Sequence, residues 1–72
     1  MYLLDGVEVG YEECIRRIIE ALEDDEPVSH AYHQGVDCYW IEAEHPWYAR
    51  PVALTDSGVE VGGKILESVL AC

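Results

Sequence analysis

The chain has 72 residues, half of them hydrophobic, and carries fifteen Asp and Glu against four Lys and Arg, a formal charge of −11 at pH 7. That length makes residues 1–72 a single domain with a thin stability margin, and the apolar half argues for a folded globule over disorder. A charge outside the roughly 2–8 that suits a small domain excludes direct nucleic-acid binding, which needs cations to displace counterions, and disfavours an anionic membrane surface.

The sequence holds no eighteen-residue apolar run and no basic-then-apolar leader, so neither a membrane span nor a signal peptide is expected. Three cysteines, Cys14, Cys38 and Cys72, are an odd number. They suit a reducing, cytoplasmic setting better than a disulfide framework.

The first element is a tight hairpin over Tyr2 to Val9, because Asp5-Gly6 supplies the two residues that tolerate positive φ at its turn. A helix follows from about Tyr11 to Asp24. Tyr11, Ile15, Ile18, Ile19 and Leu22 recur at helical spacing, with Cys14 beside them. Glu12 and Glu13 sit in the first turn, and Glu12–Arg16 and Glu13–Arg17 have the spacing of i,i+4 ion pairs. Pro27 restricts Glu26 and stops the helix.

From Val28 to Thr55 the composition turns to Val, Ile, Tyr and Trp. It predicts strands over Val28–His33, Val36–Ala43 and Trp47–Leu54, broken at Gln34-Gly35 and His45-Pro46. Pro51 places the third strand at a sheet edge or a bulge. Gly6-Val-Glu-Val-Gly10 then recurs as Gly58-Val-Glu-Val-Gly62, with an aspartate before each copy. The recurrence suggests one design used twice, hairpin then helix, with Lys64, Ile65, Leu66, Val69 and Leu70 forming a short apolar C-terminal helix. A second possibility starts a longer helix at Thr55, since Leu54–Gly58 resembles the strand-to-helix step that closes winged-helix domains. The expected class is α+β: a small antiparallel sheet, one amphipathic helix packed on it and a short C-terminal helix.

Metal chemistry is a candidate through His30, His33, Cys38 and His45. However, an extended strand turns residues i and i+3 to opposite faces, and no Cys-x2-Cys pair is present, so no metal or other cofactor is expected. Cys38 with a histidine could form a nucleophile and base. A chain this short has little volume for a dry pocket, and no phosphate loop or nucleophile elbow appears, so no catalytic residue and no enzyme is expected. Cys14 on the helix stripe reads as core.

The carboxylates are numerous and patterned. Glu13, Glu20 and Asp24 share one outward helix face, and Glu23, Asp24, Asp25 and Glu26 crowd the helix C-terminus. The macrodipole is already negative there, so each forgoes about 0.3–1 kcal/mol. Glu12 to Glu26 spans about 20 Å of helix, over which phosphates stepping at about 3.4 Å would present a comparable row of anions. Such a ridge suits a cationic partner. Phenylalanine is absent, and the aromatics are five Tyr and two Trp. Trp47 and Tyr48, beside a Pro-containing turn, are candidate exposed anchors for a protein interface, while Tyr39 or Trp40 is expected in the core.

The size, the acidity and the opening Tyr2-x-Leu4-Asp5-Gly6-x-x-Val9-x-x-Glu12-Glu13 resemble small phage-encoded proteins, in particular acidic anti-CRISPR proteins and related DNA mimics. The resemblance implies an acidic inhibitor acting in the host cytoplasm. It would dock on the Lys/Arg-lined nucleic-acid channel of a basic protein or complex, such as a CRISPR effector, and block it. Because anti-CRISPR proteins share no motif, it assigns no residue roles. Three other readings remain: a halophile's acidic domain, a metal-binding protein, and an accessory module that self-associates, as a homodimer for instance, through its Tyr/Trp-rich sheet.

Overall fold

The computed structural model describes residues 1–61 and 64–67. Strands β1 (Tyr2–Leu4) and β2 (Val7–Val9) form the expected N-terminal hairpin. Asp5 and Gly6 have φ of 51° and 85°, the pair of positive values that a type I′ turn requires. The turn joining β3 (Ser29–His33) to β4 (Val36–Trp40) repeats this solution, with φ of 51° at Gln34 and 82° at Gly35. Helix α1 (Tyr11–Glu23) links the two hairpins.

Strands β5 (Arg50–Thr55), β6 (Gly58–Val61) and β7 (Lys64–Glu67) complete a sheet of order β2-β1-β4-β3-β5-β6-β7. This sheet is mixed, correcting the antiparallel expectation. Every neighbouring pair is antiparallel except β1 and β4, which run parallel with Leu3 opposite Cys38. The reason lies in α1: a thirteen-residue crossover is long enough to return the chain in the same direction, so the second hairpin adds to the first through a parallel contact.

Two further expectations change. Pro51 does not lie on an edge strand, since β5 sits between β3 and β6; its pairing with β3 is confined to Arg50 and Pro51, and residues 52–55 pair with β6. The segment expected to begin a C-terminal helix is strand β7 at Lys64–Glu67, and the rest of that expected helix, through Val69 and Leu70, lies outside the described residues. Thr55 is no helix cap: its hydroxyl donates to the Gly58 carbonyl at 3.0 Å and accepts from Ser57 N–H at 3.1 Å, closing the β5–β6 turn. Among the described residues the fold is α+β, and no helix is long and apolar enough to cross a membrane.

The core lies between α1 and one face of the sheet. Cys14, Ile18 and Ala21 supply the centre of the helix stripe, with Ile15, Ile19 and Leu22 half-buried at its margins. Leu4, Tyr39, Val52 and Val59 meet them from the sheet, with Val28 and Ile41 at the strand ends. Tyr39 is thus the core aromatic, and its ring lies 4.6 Å from that of His30, which is buried and hydrogen-bonded through Nε2 to Asp37 at 2.9 Å.

Candidate functional site: an acidic cleft and an aromatic loop

Pleating sends alternate residues of each strand to opposite faces. With Tyr39 and Leu4 turned to the helix, the pairing register puts Leu3, Val36, Cys38, Trp40, Ser29, Ala31 and His33 on the other face. No carboxylate occurs among them. Glu8, opposite Leu3 on β2, and Glu60, opposite Ala53 on β6, flank this stretch. His30 and His33 accordingly point to opposite faces, as strand geometry requires. Among the described residues, no three or more His, Cys, Asp or Glu are grouped to hold a metal ion.

The segment 41–49 connects the two sides of the molecule, and its course is set by two side chains. Asp5, in the first hairpin turn, accepts backbone N–H bonds from Ile41 at 2.8 Å, Glu42 at 3.2 Å and Ala43 at 3.2 Å. Burial pushes this carboxyl up, but the three N–H groups and the Arg17 guanidinium outweigh it and hold its pKa below the ordinary 3.8. Farther along, Ser29 Oγ and His45 Nδ1 lie 2.6 Å apart. In the tautomer with hydrogen on Nε2, the hydroxyl donates to Nδ1 and Nε2 faces the Ile41 carbonyl at 3.5 Å. Together these contacts lay the segment against the end of the sheet.

On the helix side, Glu20, Asp24 and Glu26 from α1 and its C-terminal turn meet Glu42 around a cleft of about 170 Å³. Arg17, Ala21 and Ile41 complete the lining. Of the acids expected to form a ridge, Glu20, Asp24 and Glu26 are brought together here. Glu13, Glu23 and Asp25 are exposed but line no part of the cleft. Glu42 was not foreseen; it arrives through the Asp5 contacts, which span 36 to 38 residues and leave no local trace. Arg16 pairs with Glu20 at 3.0 Å, both side chains about 60 % exposed, an arrangement worth little in water. The expected pairing back to Glu12 is not the one formed.

The four acids at the helix end sit on a closed terminus. Asp24 N–H bonds the Glu20 and Ala21 carbonyls, Asp25 N–H bonds Leu22 and Glu26 N–H bonds Ala21, at 2.9–3.1 Å. With Asp25 at φ 60°, this is the Schellman arrangement. Backbone N–H groups thus satisfy the Glu20, Ala21 and Leu22 carbonyls, and the side chains of Glu23, Asp24, Asp25 and Glu26 are all exposed to solvent.

Trp47 and Tyr48 lie elsewhere. They occupy a turn closed by Ala49 N–H on the Pro46 carbonyl at 3.1 Å, not the start of a strand. Trp47 is 94 % exposed and Tyr48 is exposed on one side. Tyr48 packs edge-on between Trp40, at 6.2 Å, and Trp47, at 5.7 Å. With Ala31, His33, Cys38 and Trp40 it lines an open groove of about 360 Å³ on the face away from the helix. The residues expected to form one partner site therefore form two surfaces, joined by segment 41–49.

Cys14 and Tyr39 lie in the core and belong to neither surface. Burial, then the charges of Asp37 and Glu13, pushes the Cys14 thiol up to about 11, and Cys14 is fully buried. Burial likewise pushes the Tyr39 phenol far above its usual range, and its hydroxyl is enclosed without a hydrogen-bond partner. Among the described residues no hydrogen bond joins Cys38 to a histidine. No protein-family model, curated protein or solved structure matches the chain.

Proposed function

We propose that this protein is a small acidic inhibitor that binds a protein partner, docking the C-terminal half of α1 and the Glu42 segment on a Lys/Arg-lined nucleic-acid-binding surface and blocking it. The observation that carries the reading is the convergence of Glu20, Asp24, Glu26 and Glu42 on one cleft, with Arg17 the cation in its lining. Acids spread for solubility alone would have no reason to gather where they repel one another, and a cationic partner offsets that repulsion. In its sharpest form the reading is an anti-CRISPR protein in the host cytoplasm, acting on a CRISPR effector.

Charge complementarity makes such binding fast and salt-sensitive. The decisive experiment has two parts. The protein is used to capture a partner from the cells that contain it at about 0.1 M salt, where screening extends over about 10 Å, and at about 1 M, where it extends over about 3 Å. The captured partner is then assayed for nucleic-acid binding with and without the protein. Recovery of a nucleic-acid-binding complex at low salt, with displacement of its nucleic acid, is the expected result. Replacing Glu20, Asp24, Glu26 and Glu42 with their amides, all exposed positions, should abolish displacement and leave the fold intact. Displacement that persists in this variant would refute the reading.

The aromatic face favours a second reading, an accessory module that associates through its sheet.

A further inference from the structure

Trp47 stands 94 % exposed beside an open groove, in a molecule whose formal charge is −11. An indole and a groove left in water together form an apolar surface of the kind that marks an interaction site. We propose that the sheet face away from α1 binds a second copy of this chain, each copy seating its Trp47 in the other's groove against Trp40, Tyr48 and Ala31.

Charge selects this occupant. Two copies repel each other wherever their acids meet, so they approach at least cost through the stretch of β1, β4 and β3 that carries no carboxylate on its outer face. A cationic partner is drawn instead to the cleft on the helix side. Shape agrees with charge. The groove, about 360 Å³, has room for an indole, and Trp47 touches its Tyr48 wall edge-on at 5.7 Å. Knob and groove therefore share one face, and a single two-fold axis lets both insertions occur at once.

The area sets the strength. A buried aromatic side chain covers about 150–250 Å², so two indoles and the walls that receive them bury roughly 600–1,000 Å². That falls below the roughly 1,200 Å² at which stable interfaces begin. The dimer is therefore weak and forms at high protein concentration. Because the two copies repel, screening helps them meet, and association tightens as salt rises. This sign is opposite to that expected for a cationic partner at the acidic cleft, so each surface can be tested while the other stands.

Sedimentation equilibrium of the full chain at about 0.1 M and about 1 M salt reads both strength and sign. The expected result is a monomer–dimer equilibrium that strengthens at high salt and weakens at least about tenfold in W47A, as befits a central aromatic anchor. Because Trp47 touches mostly solvent, W47A keeps the fold, which circular dichroism verifies. A31R, which puts a charged chain into the groove, should weaken association to a similar degree. A monomer at both salts, a dimer indifferent to W47A, or a dimer that dissociates as salt rises would each overturn the proposal. So would W47A abolishing capture of a cationic partner by a strictly monomeric protein, which would give the face to that partner.

Discussion

The pentapeptide Gly-Val-Glu-Val-Gly occurs twice, and its copies meet different fates. In the first, Val7 is 63 % exposed; in the second, Val59 is 0 % exposed. Both follow a hairpin turn, and both valines point to the helix side of the sheet. The difference is the strand's place. Strand β2 is an outer edge with β1 as its one neighbour, while β6 lies between β5 and β7. After the first copy the chain enters α1; after the second it continues into β7. Local sequence chose the strand in each case, and tertiary position chose its burial.

The largest expected effect tests this directly. Val59→Ala removes two methyl groups from the core and should cost about 2 kcal/mol of unfolding free energy in a urea titration. Val7→Ala, the same change in the same five letters, should stay within about 0.5 kcal/mol. Equal losses at the two sites would mean that the copies are not energetically distinct and that the edge placement of β2 is mistaken.

The aspartates before the copies differ as sharply. Asp56 is exposed in its turn, whereas Asp5 holds the N–H groups of residues 41–43. Asp5→Asn keeps a residue that tolerates the turn and removes the charge, so it should cost about 1–2 kcal/mol, with Asp56→Asn near zero. The pH dependence has a definite sign. Because the folded pKa of Asp5 lies below the ordinary 3.8, the folded state binds fewer protons than the unfolded one near that pH. The stability Asp5 contributes is complete above 3.8 and is lost as pH falls through the folded value. Denaturation midpoints followed from pH 5 to pH 2 should therefore drop less in Asp5→Asn than in the wild type; identical slopes would show that Asp5 does not cause this pH dependence.

These contrasts also explain what could be read from the sequence. Asp5-Gly6, the amphipathic run from Tyr11 and the Gln34-Gly35 break are decided by neighbours a few positions apart, and each produced the expected element. The parallel contact between β1 and β4 is decided by the span of α1, which no local pattern encodes. Lys64 to Glu67 contains an apolar run too short to distinguish the period of a strand from that of a helix. The acids at the helix end were legible as a cluster. Their meeting with Glu42 was not, because Asp5 draws that segment in from 37 positions away. The separation of Trp47 and Tyr48 from the acids was hidden for the same reason: the Ser29–His45 contact that helps fix their turn spans 16 residues.

The smallest expected effect asks why aspartate stands at the left-handed end of α1. Asp5 and Asp25 share positive φ, 51° and 60°, but Asp5 uses its carboxylate to hold a segment, while Asp25 is exposed at a position where glycine is the usual residue. Two costs act there: the backbone strain of a side chain in the left-handed region, and a negative charge at the negative end of the helix dipole. Asp25→Gly removes both and should stabilise the protein by about 0.5–1 kcal/mol. Asp25→Asn removes the charge alone, because asparagine shares aspartate's tolerance of this conformation. If Asn recovers most of the gain, the dipole sets the cost, and the same gain should shrink as salt rises. If Gly alone stabilises, backbone strain sets it. Either result locates a local cost that the fold carries; failure of both variants to stabilise would mean that the closed terminus already absorbs the charge and that the acids at this end cost the fold nothing.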